Sequence, residues 1–216
     1  RDADNYTSKN EPISSSDLME RAATRAAEKI WSIYPKMHSC AIFAGPGNNG
    51  GDGLVLARLF AENNIAVNLF IVKFTDRFSE DFKINLERLQ NQGEVNVTEL
   101  RKIEDFPELH SVEIIIDAIF GSGLTRKLSG FPEEIVLAIN TLNSKVIAID
   151  IPSGLFGEEN DHKDQTIIKA NHTISFQYPS VSFLFPENED FVGQFHIVDI
   201  GIHKSFIENT DTDYFY

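Results

Sequence analysis

An α/β sandwich with a mostly parallel sheet is the fold this sequence predicts, on three observations. Short, wholly apolar runs recur along the chain, segments of helical periodicity separate the earlier ones, and a glycine-rich turn joins one run to a helix. Runs without polar alternation suit strands covered on both faces, the condition of a parallel sheet. Strands alternating with helices imply helices layered on that sheet.

Residues 17–34 begin with an acidic capping signal, Asp17 and Glu20, and carry Leu18, Ala22, Ala26 and Ile30 on one helical face. Buried strands are expected at 40–44, 67–72, 112–116 and 146–149, with weaker signals at 172–176 and 194–198. Helical periodicity marks 53–63 and 79–92, and Pro132 suits the first turn of a helix running to about residue 142. The polar segment 157–164, GEENDHKD, reads as a solvated loop inside one domain. The Phe-rich stretch 176–191 reads as core strands and a contact between two copies. There are no internal repeats, and 216 residues, 42% hydrophobic, suffice for one full-sized core spanning 1–216. The tail NTDTDYFY lacks periodicity and the opening residues look cut into a helix, a pattern that fits a piece of a longer chain.

Nineteen Lys plus Arg against thirty-three Asp plus Glu leave a formal charge of −14, which repels a phosphate backbone and argues against nucleic acid as a partner. A small anionic ligand remains compatible, because backbone N–H groups and a few local cations hold phosphate inside an acidic protein. No run approaches the roughly 18 apolar residues of a membrane span, and RDADNYTSKN is too polar for a secretory signal. The single cysteine, Cys40, lies in CAIFA and reads as a small buried apolar group; with no intrachain disulfide to form, a cytoplasmic location fits. The six histidines show no metal-ligand spacing and read as surface or core residues.

The first chemical feature is Gly45-Pro46-Gly47-Asn48-Asn49-Gly50-Gly51-Asp52-Gly53, set between a strand and an amphipathic helix. Such a loop presents bare N–H groups at a helix N-terminus. It contains GxGxxG as Gly45, Gly47 and Gly50, so a dinucleotide site is one reading. A site for NAD would want an acidic residue roughly 20 positions on; the second strand ends instead near Lys73, a residue that favours a phosphate. The second feature is an aspartate closing each of two apolar strands, Asp117 after EIII and Asp150 after VIAI. The carboxyl ends of parallel strands face the ligand crevice, so both carboxylates would converge there with the glycine-rich loop. Close carboxylates in a partly desolvated cleft share protons or recruit a cation. Asn49, Asp117 and Ser153 offer only oxygen atoms, which suits a hard ion and argues against zinc without distinguishing potassium from other hard ions.

FAGPGNNGGDGLVLARLF, DAIFGSGLTRKLSG and VIAIDIPSGL, in this order and spacing, resemble the NAD(P)H-hydrate epimerase family, also called the YjeF N-terminal domain family. The resemblance covers nearly the whole chain, including YTSKNEPISSSDLMERAA. It implies a three-layer α/β/α Rossmann-like fold, bound potassium, no redox chemistry and frequent homodimers. It also implies hydrated NADH and NADPH as substrates, and a common fusion to a kinase-like domain that dehydrates the S epimer with ADP or ATP. Carried over by residue, Asn48, Asn49, Gly50, Gly51, Asp52, Gly121, Ser122, Gly123, Leu124, Thr125, Arg126, Lys127 and Asp150 would contact the nucleotide. Asn49, Asp117 and Ser153 would ligate potassium, and Lys73 matches a lysine the family places near the site. Ser180 departs from the pattern, because relatives commonly carry lysine there.

The implied chemistry is loss and readdition of water at the carbon beside the ring nitrogen. Protonating the leaving hydroxyl requires a general acid, and a neighbouring carboxylate favours the resulting cation. Asp117 and Asp150 are the expected acid/base and electrostatic groups, with Lys73 as a helper. Two other readings stand beside this one: an NADP-dependent oxidoreductase, from GxGxxG and Lys73, and a non-catalytic nucleotide- or protein-binding module.

Overall fold

The apolar runs become strands because β-branched and aromatic side chains pack well on a pleated surface covered from both sides. The computed structural model describes residues 6–206 apart from positions 8, 12, 110, 111, 161, 162 and 204. Most of the opening ten residues and the whole tail 209–216 therefore lie outside the described residues or at their margin. Seven strands are found among the described residues: β1 (Ser39–Ala44), β2 (Ala66–Val72), β3 (Asn96–Leu100), β4 (Ile114–Ala118), β5 (Lys145–Ile149), β6 (His172–Phe176) and β7 (Gln194–Val198). All pair in parallel, in the order β3-β2-β1-β4-β5-β6-β7.

The longer helices are α1 (Ser15–Ile33), α2 (Asn48–Glu62), α3 (Glu80–Gln92) and α4 (Phe131–Asn140), followed by the single turn α5 (Glu189–Val192). Ser14 opens α1 by accepting the Asp17 N–H at 3.1 Å, and Ser79 opens α3 by accepting that of Phe82 at 3.2 Å. Pro132 occupies the first turn of α4, where its missing N–H costs nothing. Alternate strand residues face opposite ways. Ile42, Ala44, Ile116 and Ala118 pack with α1, α2 and α3, whereas Ala41, Phe43 and Ile115 pack with Ile135, Val136 and Ile139 of α4. The result is the expected three-layer α/β/α arrangement.

Several expectations shift in detail. β4 begins at Ile114, two residues later than the apolar run suggests, because pairing with Ala41 and Lys145 fixes its register. Asp117 consequently lies inside the strand, opposite Phe43 and Ala148, instead of closing it. α2 starts at Asn48 and not at 53, so Asn49, Gly50, Gly51 and Asp52 belong to its first turns. β3 carries no apolar run: it is an edge strand, NVTEL, exposed except at Leu100, and periodicity has nothing to detect there. The stretch 176–191 holds no strand after Phe176; it forms 3-10 turns at Val181–Leu184 and Pro186–Asn188 and then α5. Pro179 and Pro186, which lack an N–H for a ladder, suit that outcome.

β1 and β4 are neighbours although β2 and β3 intervene in the chain, so the connections leave this pair in opposite directions and open a crevice at its carboxyl end. Close backbone contact seals the bottom of it. The Gly45 N–H donates to the Ala118 carbonyl at 3.0 Å; a Cβ on Gly45 would lie 1.9 Å from the Ile119 oxygen, and one on Gly50 1.7 Å from the Gly45 oxygen. Gly45→Ala and Gly50→Ala should each lower unfolding free energy by at least about 1–3 kcal/mol, since backbone on both sides must move. Gly47, whose added Cβ meets nothing within 4 Å, should tolerate alanine at under about 1 kcal/mol. Urea denaturation of the three variants checks this, and equal losses at Gly45 and Gly47 would contradict it.

Candidate active site

The crevice is a cleft of about 770 Å³, within the roughly 300–1,000 Å³ range of small-molecule sites. The glycine-rich turn and α2 contribute Asn48, Asn49 and Asp52, and the loop after β4 contributes Gly121, Ser122, Gly123, Leu124, Thr125 and Arg126. Asp150 reaches in from the end of β5.

Asp150 occupies the left-handed region at φ +68°, where a non-glycine residue bears strain of about 1–2 kcal/mol. Its N–H donates to the Ile174 carbonyl at 2.8 Å, and its carboxylate accepts the Ser122 N–H at 2.7 Å. A Cβ on Gly121 would sit 2.6 Å from Asp150 Oδ2 and 3.3 Å from Asn49 Cβ. The Asp150 carboxylate, the Asn49 side chain and the Gly121 backbone are thus packed together, and only glycine fits between the two side chains. Asn49 is 7% exposed, and neither its Oδ1 nor its Nδ2 has a hydrogen-bond partner among the described residues. An unpaired buried amide costs about 1–3 kcal/mol, and both polar atoms of this one stay available at the cleft.

Beneath the cleft, Asp117 and Ser153 are fully buried. The Asp117 carboxylate accepts the Ser153 hydroxyl at 2.6 Å, the Ser153 N–H at 2.8 Å and the Ile119 N–H at 3.2 Å. Ser153 Oγ in turn accepts the Phe120 N–H at 2.8 Å, tying the loop after β4 to the loop after β5. Burial pushes the Asp117 carboxyl from the ordinary 3.8 up to about 6, against the pull of these hydrogen bonds. Asn49 has an amide oxygen without a partner among the described residues, and Asp117 and Ser153 are buried oxygen donors, a donor chemistry that suits a hard cation better than zinc.

Other residues singled out in the sequence lie elsewhere. Lys73 does not line the cleft: its ammonium is 3.4 Å from Glu99 and 3.6 Å from Asp76, over the Phe78 ring. Lys127 donates to the Lys163 carbonyl. Gly50 and Gly51 act through close packing, Gly51 against the Met19 sulfur. Ser180 precedes the 3-10 turn Val181–Leu184 and is not among the lining residues. Cys40 is buried in the core, which pushes its thiol up to about 12. Sequence reasoning missed the aromatic wall, Phe74 stacked on Phe120 at 5.1 Å with Phe78 and Tyr178 nearby, and it missed Arg77. The loop FTDRFS has no periodicity, and its only signal is the pair of phenylalanines around a charged dipeptide.

An open, all-parallel sheet with a glycine-rich turn at its switch point places the chain in the class of doubly wound α/β proteins that bind ligands outside the strand ends. A family model described as YjeF-related protein N-terminus matches residues 15–182, and the chain belongs to that family. It is 34% identical over 201 residues to the NAD(P)H-hydrate epimerase of Weissella koreensis, covering 93% of this chain and 88% of the relative. For the NAD(P)H-hydrate epimerase of Lentilactobacillus buchneri the identity is 35% over 205 residues, covering 94% and 92%. The bifunctional NAD(P)H-hydrate repair enzyme of Thermofilum pendens is 33% identical over 195 residues; the match covers 89% of this chain but only 37% of that longer protein. The crystal structure of yeast ynu0 superposes with a TM-score of 0.68 at 24% identity, over 86% of this chain and 78% of that one, and shares the fold. No helix among the described residues is long and apolar enough to cross a membrane.

The raised Asp117 carboxyl has a definite sign in stability. The folded protein holds this proton more tightly than the unfolded chain, so the group's contribution falls as pH rises from about 4 to about 6. In potassium-free buffer, the stability of the parent relative to Asp117→Asn should therefore decline across that window and level off above it. Parallel stability curves for the two proteins between pH 4 and 7 would show that the carboxyl is not raised.

Proposed function

We propose that this chain interconverts the R and S forms of hydrated NADH and NADPH. The observation that carries this reading is the Asp150 carboxylate, held in a strained backbone beside Gly121, with the orphaned Asn49 amide on the same glycine, in a cleft of about 770 Å³. Relatives that match this chain along most of their own length bear the name of that activity.

The reaction needs a proton delivered to the hydroxyl of the hydrate. The C–O bond then breaks, the ring nitrogen's electron pair forms a C=N⁺ bond, and water leaves. Readdition of water to the other face, with return of the proton, gives the second epimer. Asp150 is the carboxylate in the cleft and is assigned the proton transfer; the Ser122 N–H fixes its orientation. Asp117 is covered by Ser153 and the loop after β4, so it acts on the site electrostatically and through Ser153. Asn49, Asp117 and Ser153 would hold potassium, which when bound supplies a fixed positive charge beside an anionic nucleotide. No step is assigned to Lys73, whose charge is engaged by Glu99 and Asp76. The same reading includes a homodimer, supported by the exposed Leu184, Phe185 and Phe195, and a dehydratase partner, supported by the bifunctional relative.

Purified protein given the R hydrate should produce the S form, followed by chromatography, faster than the spontaneous reaction. An unchanged rate at saturating protein would sink the proposal. Asp150→Asn should slow turnover about 100- to 10,000-fold, the usual contribution of an acid–base group, with nucleotide affinity much less affected. Asp117→Asn should also slow turnover and be partly rescued by raised potassium, whereas Asp150→Asn should ignore salt. Turnover within twofold of the parent in both variants would remove the two aspartates from the mechanism.

A further inference from the structure

Arg77 is a residue that neither the family motifs nor the two aspartates account for. It lies in the loop after β2 and lines the cleft, with Phe74 and Phe78 beside it. Among the described residues, the cations in the lining are Arg77 and Arg126, against the carboxylates of Asp52, Asp81 and Asp150. Lys73, which the sequence suggests for a phosphate, is engaged by Glu99 and Asp76. Arg77 makes no ion pair with the described residues; only its backbone N–H has a partner, the Thr75 hydroxyl at 3.1 Å. An exposed guanidinium on the rim of a net acidic cleft, in a chain of charge −14, stands where an anionic group of a ligand would meet it.

Sheet order says which end of the ligand that is. Asp150 at the end of β5 marks the reacting end, and the N-terminus of α2, whose Gly47 cap has no side-chain acceptor, lies between β5 and β2 in the crevice. From β5 across β4 and β1 to β2 are three strand spacings, about 14 Å at roughly 4.8 Å each, a span that an extended dinucleotide bridges. In doubly wound folds the pyrophosphate rests on the first helix N-terminus, and the group after the second strand reads the adenosine ribose. An acidic residue there binds the 2′-hydroxyl, and an arginine accommodates a 2′-phosphate. Resting on the hydrate-epimerase reading, we propose that Arg77 contacts the 2′-phosphate of hydrated NADPH and sets the preference of this chain between hydrated NADPH and hydrated NADH.

Steady-state epimerisation of both hydrates by the parent, Arg77→Gln and Arg77→Lys tests this. Arg77→Gln should raise KM for the NADPH hydrate about tenfold or more, the size of a lost charge-assisted hydrogen bond, with kcat changed less than about twofold. Its loss on the NADH hydrate should be several-fold smaller, and Arg77→Lys should recover part of the difference by keeping the charge. Calorimetric titration with adenosine 2′,5′-bisphosphate and with AMP gives a readout independent of turnover. The parent should prefer the bisphosphate, and Arg77→Gln should lose that preference. Equal losses on both hydrates, or an unchanged bisphosphate preference, would overturn the assignment. A parent that epimerises neither hydrate, yet loses its bisphosphate preference on Arg77→Gln, would refute the epimerase reading while leaving the phosphate contact standing.

Discussion

Everything at the functional end of this molecule depends on the side-by-side pairing of β1 and β4. The two strands meet because β2 and β3 wind away in one direction and β5, β6 and β7 in the other. Their carboxyl ends cannot be covered by the same connection, and the space left between is the cleft. Glycine makes the pairing tight enough to work. With the Gly45 backbone against Ile119 and the Gly50 backbone against Gly45, the first turn of α2 is drawn down onto the end of β4, and Asn49 is carried into the site.

A second layer of order lies under the cleft. Asp117 gathers the Ser153 hydroxyl, the Ser153 N–H and the Ile119 N–H, and Ser153 accepts from Phe120. One buried carboxylate thereby fixes two loops that arise from neighbouring strands, and it does so in a setting that penalises its own charge. This arrangement is costly as pure architecture: an apolar residue inside β4 would pack at no electrostatic expense. The cost is understandable if the charge is used, whether by a cation or by a developing positive centre above it. Asp150 tells the same story through the backbone, being held at a positive φ by a strand-end hydrogen bond while its carboxylate is turned toward Ser122.

Stability and chemistry are divided between the two faces of the glycine-rich segment. Gly45, Gly50 and Gly51 are required by close approach of backbone or by Met19, and none of the three needs to touch a ligand. Asn48, Asn49 and Asp52, interleaved with them, line the cleft. A single nine-residue motif therefore serves helix–sheet packing and ligand contact at once, because the first turns of a helix present alternate sides to the sheet and to the crevice.

By itself the sequence determined the layers. Apolar runs at β1, β2 and β5 read as strands covered on both faces, with weaker signals at β6 and the edge strand β7, the spacing in α1 required a buried helical face, and the motif glycines and aspartates pointed to one sheet edge. Local pattern also carries the family, since its three motifs survive intact in linear order. Tertiary structure alone decided what periodicity cannot encode. The register of β4 against β1 and β5 put Asp117 inside the strand and out of the cleft, although its sequence context matches that of Asp150. β3 is a strand because β2 offers it an open edge, and its polar residues gave no sign of that. Lys73 and Arg77 are four residues apart and alike in charge, yet one is held by Glu99 on β3 and by Asp76 in its own loop while the other reaches the cleft. That distinction depends on Glu99, which lies 26 residues along the chain from Lys73 and is brought within reach only by the pairing of β2 with β3.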